Sequence, residues 1–90
     1  MSLLGKDVIK MNIGDAIRER ILELCKERKI TVNKLSTICG ITQSTLSNIM
    51  SKRNNSTTVS TIKKICDGLE ITMVEFFDAE IFVNLEQEIK

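Results

Sequence analysis

From Gln43 to Asn55 the chain reads Gln-Ser-Thr-Leu-Ser-Asn-Ile-Met-Ser-Lys-Arg-Asn-Asn, with amides and hydroxyls first, two cations after them and no acid. Amides and hydroxyls donate and accept hydrogen bonds while carrying no charge. They do not break bonds unaided. The chemistry such a set supports is recognition of a surface rich in donors, acceptors and negative charge.

Other chemistries find little in the chain. Its 90 residues include no histidine, so histidine-based triads and histidine–metal sites are excluded. No glycine-rich phosphate loop of the G-x-x-x-x-G-K-[ST] type occurs. Cys25, Cys39 and Cys66 are odd in number and form no C-x-x-C pair, which argues against zinc. Each lies among apolar residues at helical spacing and reads as a buried free thiol. Cys39 has no base beside it. The expectation is a protein that is not an enzyme, with no cofactor, no metal and no small-molecule effector.

Net charge is only +1, but it is unevenly spread. Residues 28–66 carry Arg28, Lys29, Lys34, Lys52, Arg53, Lys63 and Lys64 without a single acid. Residues 67–90 carry seven acids against Lys90 alone. A chain so divided is expected to present one basic surface. It lacks an apolar run long enough to span a membrane. The opening Leu-Leu-Gly-Lys-Asp-Val-Ile-Lys-Met is too short and too charged for a secretory signal, so a cytoplasmic location is expected.

The elements that must hold the polar stretch are helical. There is no proline, and aromatics make up 3 %, which disfavours sandwiches and barrels. Asn12 caps a first helix ending near Lys29, with Ile13, Ile17, Ile21, Leu24 and Arg28 at steps of three and four and Arg18, Glu19, Glu23, Lys26 and Glu27 outward. Thr31 caps a second helix over about 32–39, with Val32, Leu35, Ile38 and Cys39 as its apolar stripe. Gly40 stops it, since glycine accepts the left-handed backbone of such a turn. Thr42 caps a third helix of about 43–51. Thr58 opens a fourth, with Val59, Ile62, Ile65, Cys66 and Leu69 inward. Thr72 and Glu75 have capping-box spacing and start a short fifth helix, after which Phe76 and Phe77 close the core. The tail is ambiguous. Ile81, Phe82, Leu85 and Ile89 fit a helix face, whereas Ile81, Val83 and Leu85 fit a strand.

Two short helices joined at a glycine form a helix-turn-helix, here over 31–51. Ser36 is the small residue where the helices touch, Gly40 the turn, and Ile41, Leu46 and Ile49 the inward apolar positions. At about 100° per residue, Leu46, Ile49 and Met50 share one face of the third helix. Ser44, Ser47, Asn48 and Ser51 lie opposite, flanked by Gln43 and Thr45. A helix in the DNA major groove needs short donors and acceptors on its exposed face and no carboxylate facing phosphate. Gln pairs in bidentate fashion with adenine, and Ser and Thr reach several bases. The N-terminal end of such a helix meets the bases, so Gln43, Ser44, Ser47 and Asn48 are the expected base readers. Thr42, Thr45, Lys52, Arg53, Asn54 and Asn55 are the expected phosphate contacts, with Lys34, Lys63 and Lys64 secondary.

The residues 29–54, Lys-Ile-Thr-Val-Asn-Lys-Leu-Ser through Ser-Lys-Arg-Asn, resemble the two-helix core of the phage-repressor and Cro-like (XRE-type) helix-turn-helix family. Thr58 to Phe77 resembles that family's last two helices. The resemblance runs from about Ile13 to Phe77. It implies an all-α, five-helix lambda-repressor-like DNA-binding domain, here 1–78, followed by a short extension, 79–90. It also implies binding to near-palindromic double-stranded DNA as a homodimer. Members often carry Gln where Val32 stands, Gly where Lys52 stands and a proline before the fourth helix. Many join an Arg of the first helix to a Glu of the third by a buried ion pair. Cys25 and Met50 occupy those places. An ion pair replaced on both sides by apolar groups costs little, so these two side chains are expected to pack together.

Ile81, Phe82, Leu85 and Ile89 are the candidate dimer contact, with folding back onto the domain as the other reading. Two functions stay open. One is a sequence-specific transcriptional regulator, with repression by occlusion favoured because ninety residues leave little room for a second domain. The other is a protein-interaction module, such as an antitoxin bound to its partner.

Overall fold

The computed structural model describes residues 11–51, 57–87 and 89. Among them are five α-helices and no strand: α1 (Ile13–Arg28), α2 (Val32–Cys39), α3 (Gln43–Met50), α4 (Val59–Leu69) and α5 (Met73–Phe77). A single 3₁₀ turn, Glu80–Phe82, follows.

The helix starts follow one rule. Asn12, Thr31, Thr42, Thr58 and Thr72 each stand in extended backbone, and each side chain accepts from the N–H three residues on. One otherwise unpaired amide is satisfied at every start. At α5 the Glu75 carboxylate also accepts from the Thr72 N–H at 2.8 Å, closing the capping box. Three helix ends follow a second rule. Lys29, Gly40 and Glu70 all take the left-handed conformation, with φ of 58°, 68° and 59°. An isoleucine comes next in each case, and its N–H donates to a carbonyl of the last turn: Ile30 to Cys25, Ile41 to Ser36 and Ile71 to Cys66. All three isoleucines pack against the core. That burial offsets the cost of φ > 0 at Lys29 and Glu70, which a side chain normally avoids.

The core is one cluster drawn from all five helices: Ile17, Ile21 and Leu24 of α1, Leu35 of α2, Leu46 and Ile49 of α3, Ile62, Ile65 and Leu69 of α4, and Phe76 of α5. Cys25, Cys39 and Cys66 belong to it as free thiols. Met50 packs against the same cluster that holds Cys25. Burial pushes all three thiols up from the usual value, and Cys39, with Cys25 and Cys66 nearby, reaches about 11.

Several expected faces differ. Arg18 is buried rather than outward, its guanidinium held by Asp15 at 2.8 Å and Glu19 at 3.4 Å. It sits at the margin of the buried arc, where a long stem can cover apolar surface while its head stays paired. Arg28, read as part of that stripe, is exposed in the last turn. Ile38 is exposed, because the buried arc of α2 is Leu35, Ser36 and Cys39 and Ile38 lies off it. Val59 is exposed in the first turn of α4, one turn ahead of the packed stripe. Phe76 is fully buried, but Phe77 is 37 % exposed and stands edge-on against it, ring centroids 4.9 Å apart.

The tail is neither a helix nor a strand throughout. It turns at 80–82, and Leu85 then forms an isolated parallel bridge to Met11. The Glu86 N–H donates to the Met11 carbonyl at 2.9 Å. Phe82 lies over Phe77 at 4.9 Å and packs against the core. The described tail therefore folds back onto its own domain. Arg20 of α1 secures the preceding turn, donating to the Phe76 carbonyl at 2.6 Å and the Glu75 carbonyl at 2.8 Å.

Candidate nucleic-acid interface

α2 and α3 are joined by Gly40, Ile41 and Thr42. Nothing lies within 4 Å of a Cβ built at Gly40, so its left-handed φ, and not lack of space, calls for glycine. Ile41 then turns inward and Thr42 opens α3.

α3 is anchored on one side only. Leu46 and Ile49 are 2 % and 5 % exposed, and Met50 rests on the core beside them. Gln43, Ser44, Ser47 and Asn48 are all exposed. The four expected base readers thus share the outer surface of one helix, starting at its N-terminus. None is acidic, and neither α2 nor α3 has an acid in its first turn. The unpaired amides of a helix start favour anions, and no carboxylate there competes for them.

The two threonines at this start are coupled. Thr42 Oγ1 accepts from the Thr45 N–H at 3.0 Å and donates to Thr45 Oγ1 at 2.9 Å. The Thr42 proton is thereby used, and Thr45, half-buried, keeps the hydroxyl proton that can turn outward.

Gln43 is the reader held by a neighbouring helix. Its Nε2 donates to Ser36 Oγ of α2 at 3.3 Å, and Ser36 Oγ donates to the Asn33 carbonyl at 2.7 Å. Sequence reading assigned Ser36 its small size and missed its hydroxyl. The available signal was a serine, rather than an alanine, at a buried helix–helix contact.

The cations divide into groups. Lys34 and Lys64 are exposed, and Lys63 is paired with Asp67 one turn along α4. That pair is exposed on both sides and holds the lysine weakly. Lys52, Arg53, Asn54 and Asn55 lie outside the described residues. Of the candidate dimer residues, Phe82 and Leu85 are half-buried against their own domain, while Ile81 lines a surface recess with Leu22, Glu19, Glu23 and Lys26. Ile89 is exposed. Among the described residues no helix is long and apolar enough to cross a membrane.

Known proteins share this fold. Residues 20–80 match the family model of the Cro/C1-type helix-turn-helix DNA-binding domain. The chain is 30 % identical over 74 residues to YopS of Bacillus subtilis (strain 168), an uncharacterized, SPbeta prophage-derived HTH-type transcriptional regulator. That match covers 82 % of this chain and 96 % of the relative. The crystal structure of prophage Lp1 protein 11 superposes with a TM-score of 0.74 at 30 % identity, covering 86 % of this chain and 100 % of that one.

Proposed function

This chain belongs to the Cro/C1-type helix-turn-helix DNA-binding family, and from that premise we propose that it is a repressor that binds a near-palindromic operator as a homodimer. α3 lies in the major groove. Gln43, Ser44, Ser47 and Asn48 contact base edges, as their exposure on one uncharged face supports. Thr42, Thr45, Lys52, Arg53, Asn54 and Asn55 contact phosphate and set the register. The single observation that carries the reading is this face of α3, polar, unpaired with any acid and held from behind by Leu46 and Ile49.

One α3 spans only a few base pairs. Two copies separated by one DNA turn, roughly 34 Å, supply the missing affinity and demand a two-fold-symmetric site. The tail, with Ile81, Phe82, Leu85 and Ile89, forms the dimer side: Phe82 and Leu85 brace it from within, while Ile81 and Ile89 meet the partner copy. Leu22, 37 % exposed beside Ile81, extends that surface. A protein lying in the groove excludes others from the same DNA, so repression needs nothing beyond binding.

The test is selection from a randomised duplex pool, with affinity followed from about 50 to 200 mM salt. The expected result is a two-fold-symmetric consensus with affinity falling steeply as salt rises. Replacing Lys52 and Arg53 should weaken all sites alike, whereas replacing Ser44 or Ser47 should change which bases are chosen. Weak, salt-sensitive binding without a consensus would overturn the operator reading and turn attention to a protein partner at the tail.

A further inference from the structure

The Ser36 hydroxyl has one proton and spends it on the Asn33 carbonyl, 2.7 Å away within α2. Toward Gln43 it can then only accept. The group facing it at 3.3 Å must be the Gln43 amide NH₂ and cannot be the Gln43 carbonyl. Chemistry therefore fixes the orientation of a side chain whose two ends are nearly the same shape. Ser36, on α2, is itself 4 % exposed, and Gln43 is the first residue of α3.

We propose that Ser36 is a specificity-determining positioning residue: by accepting from the Gln43 amide it keeps the Gln43 carbonyl oxygen turned outward, toward a base that donates. The inference rests on the reading of α3 as the base-contacting helix. Adenine presents a donor, its N6 amino group, next to an acceptor, N7. The outward Gln43 edge, a carbonyl oxygen beside the remaining N–H, complements that pair. Guanine presents two acceptors, O6 and N7. Facing guanine, the fixed oxygen meets another acceptor, and turning the amide over would forfeit the Ser36 bond. Ser36 thus selects adenine over guanine from beneath the interface, without touching DNA.

The experiment is pool selection with the wild-type chain, Gln43→Ala and Ser36→Ala, with folding checked by thermal unfolding. Gln43→Ala identifies the base pair that Gln43 reads, as the one whose preference disappears. At that position the wild-type chain should favour adenine. Ser36→Ala should lower the adenine-to-guanine ratio there by about 3- to 10-fold, the range of one lost neutral hydrogen bond. The shift should be confined to that base pair, whereas a general loosening of α3 would blur every position. If Ser36→Ala folds poorly, Ser36→Cys, close in size but a weak acceptor, gives the same ratio. A wild-type preference for guanine, an unchanged ratio in the Ser36 variants, or no effect of Gln43→Ala would overturn the inference alone. A wild-type pool with no consensus at all would overturn it together with the operator reading.

Discussion

α3 and α4 begin alike and are used differently. Each is capped by a threonine whose Oγ1 accepts from the N–H three residues on, and in each a second threonine stands there, its hydroxyl 2.9 Å from the first. Neither has an acid in its first turn. Beyond the cap they part. α4 buries Ile62, Ile65, Cys66 and Leu69 and meets α2 so closely that a Cβ added at Gly68 would lie 2.5 Å from Cys39 Sγ. α3 buries only Leu46 and Ile49 and leaves an uncharged polar face to solvent. The same local grammar starts a helix that holds the fold and a helix that the fold holds out. The difference lies in how much of each circumference is apolar, which sets how much of it leaves water.

Substitutions on both helices sharpen or break this contrast. Ile65→Ala, at a fully buried site of α4, should cost about 2–5 kcal/mol in denaturant unfolding. The pair Ser47→Ala and Asn48→Ala on α3 should stay within about 0.5 kcal/mol each. If the α3 pair proved as costly as Ile65→Ala, α3 would be a core helix and the comparison would fail. Next in size is Gly68→Ala. Alanine normally stabilises a helix interior relative to glycine. Here the added methyl meets the Cys39 backbone as well, with Cα 2.9 Å away, so the sign should reverse to a loss of about 1–3 kcal/mol. A gain in stability would show that α2 and α4 can part at no cost.

Smaller still, Thr42→Ala and Thr58→Ala should each cost about 1 kcal/mol, as lost N-caps do. Only Thr42→Ala should also reduce DNA binding, measured by titration of a selected site at fixed salt. The smallest effect is at the α5 box. The Thr72 N–H and hydroxyl hold the exposed Glu75 carboxyl below its usual value. Its contribution is therefore present above the unfolded value and is lost as pH falls through the lower, folded one. Glu75→Gln should flatten that acid-side loss in thermal melts taken from pH 6 to pH 3 and should leave DNA binding at neutral pH untouched.

Much of this was written along the chain. Five caps, the stop at Gly40, the apolar stripe of α4 and the uncharged face of α3 are local or periodic features, and short-range physics reads them directly. The misread positions share a cause. Ile38 and Val59 have the right residue type for a core, but the packing of the helices leaves them exposed. Arg18 has the wrong type, and neighbouring carboxylates make its burial tolerable. Lys29 and Glu70 gave no hint of a left-handed backbone, since its cost is offset by burying the isoleucine that follows each in a core built from distant residues.

The amino-acid sequence by itself determined where the five helices start, that α2 stops at Gly40 and which side of α3 is polar, because caps and periodicity act within a few residues. Only the tertiary structure decided that the tail returns to Met11, that Arg20 holds the end of α5, and that Ser36 and Gln43 share a hydrogen bond across a helix boundary. Each of those joins residues whose meeting depends on how helices pack, and no local preference of either partner specifies the other.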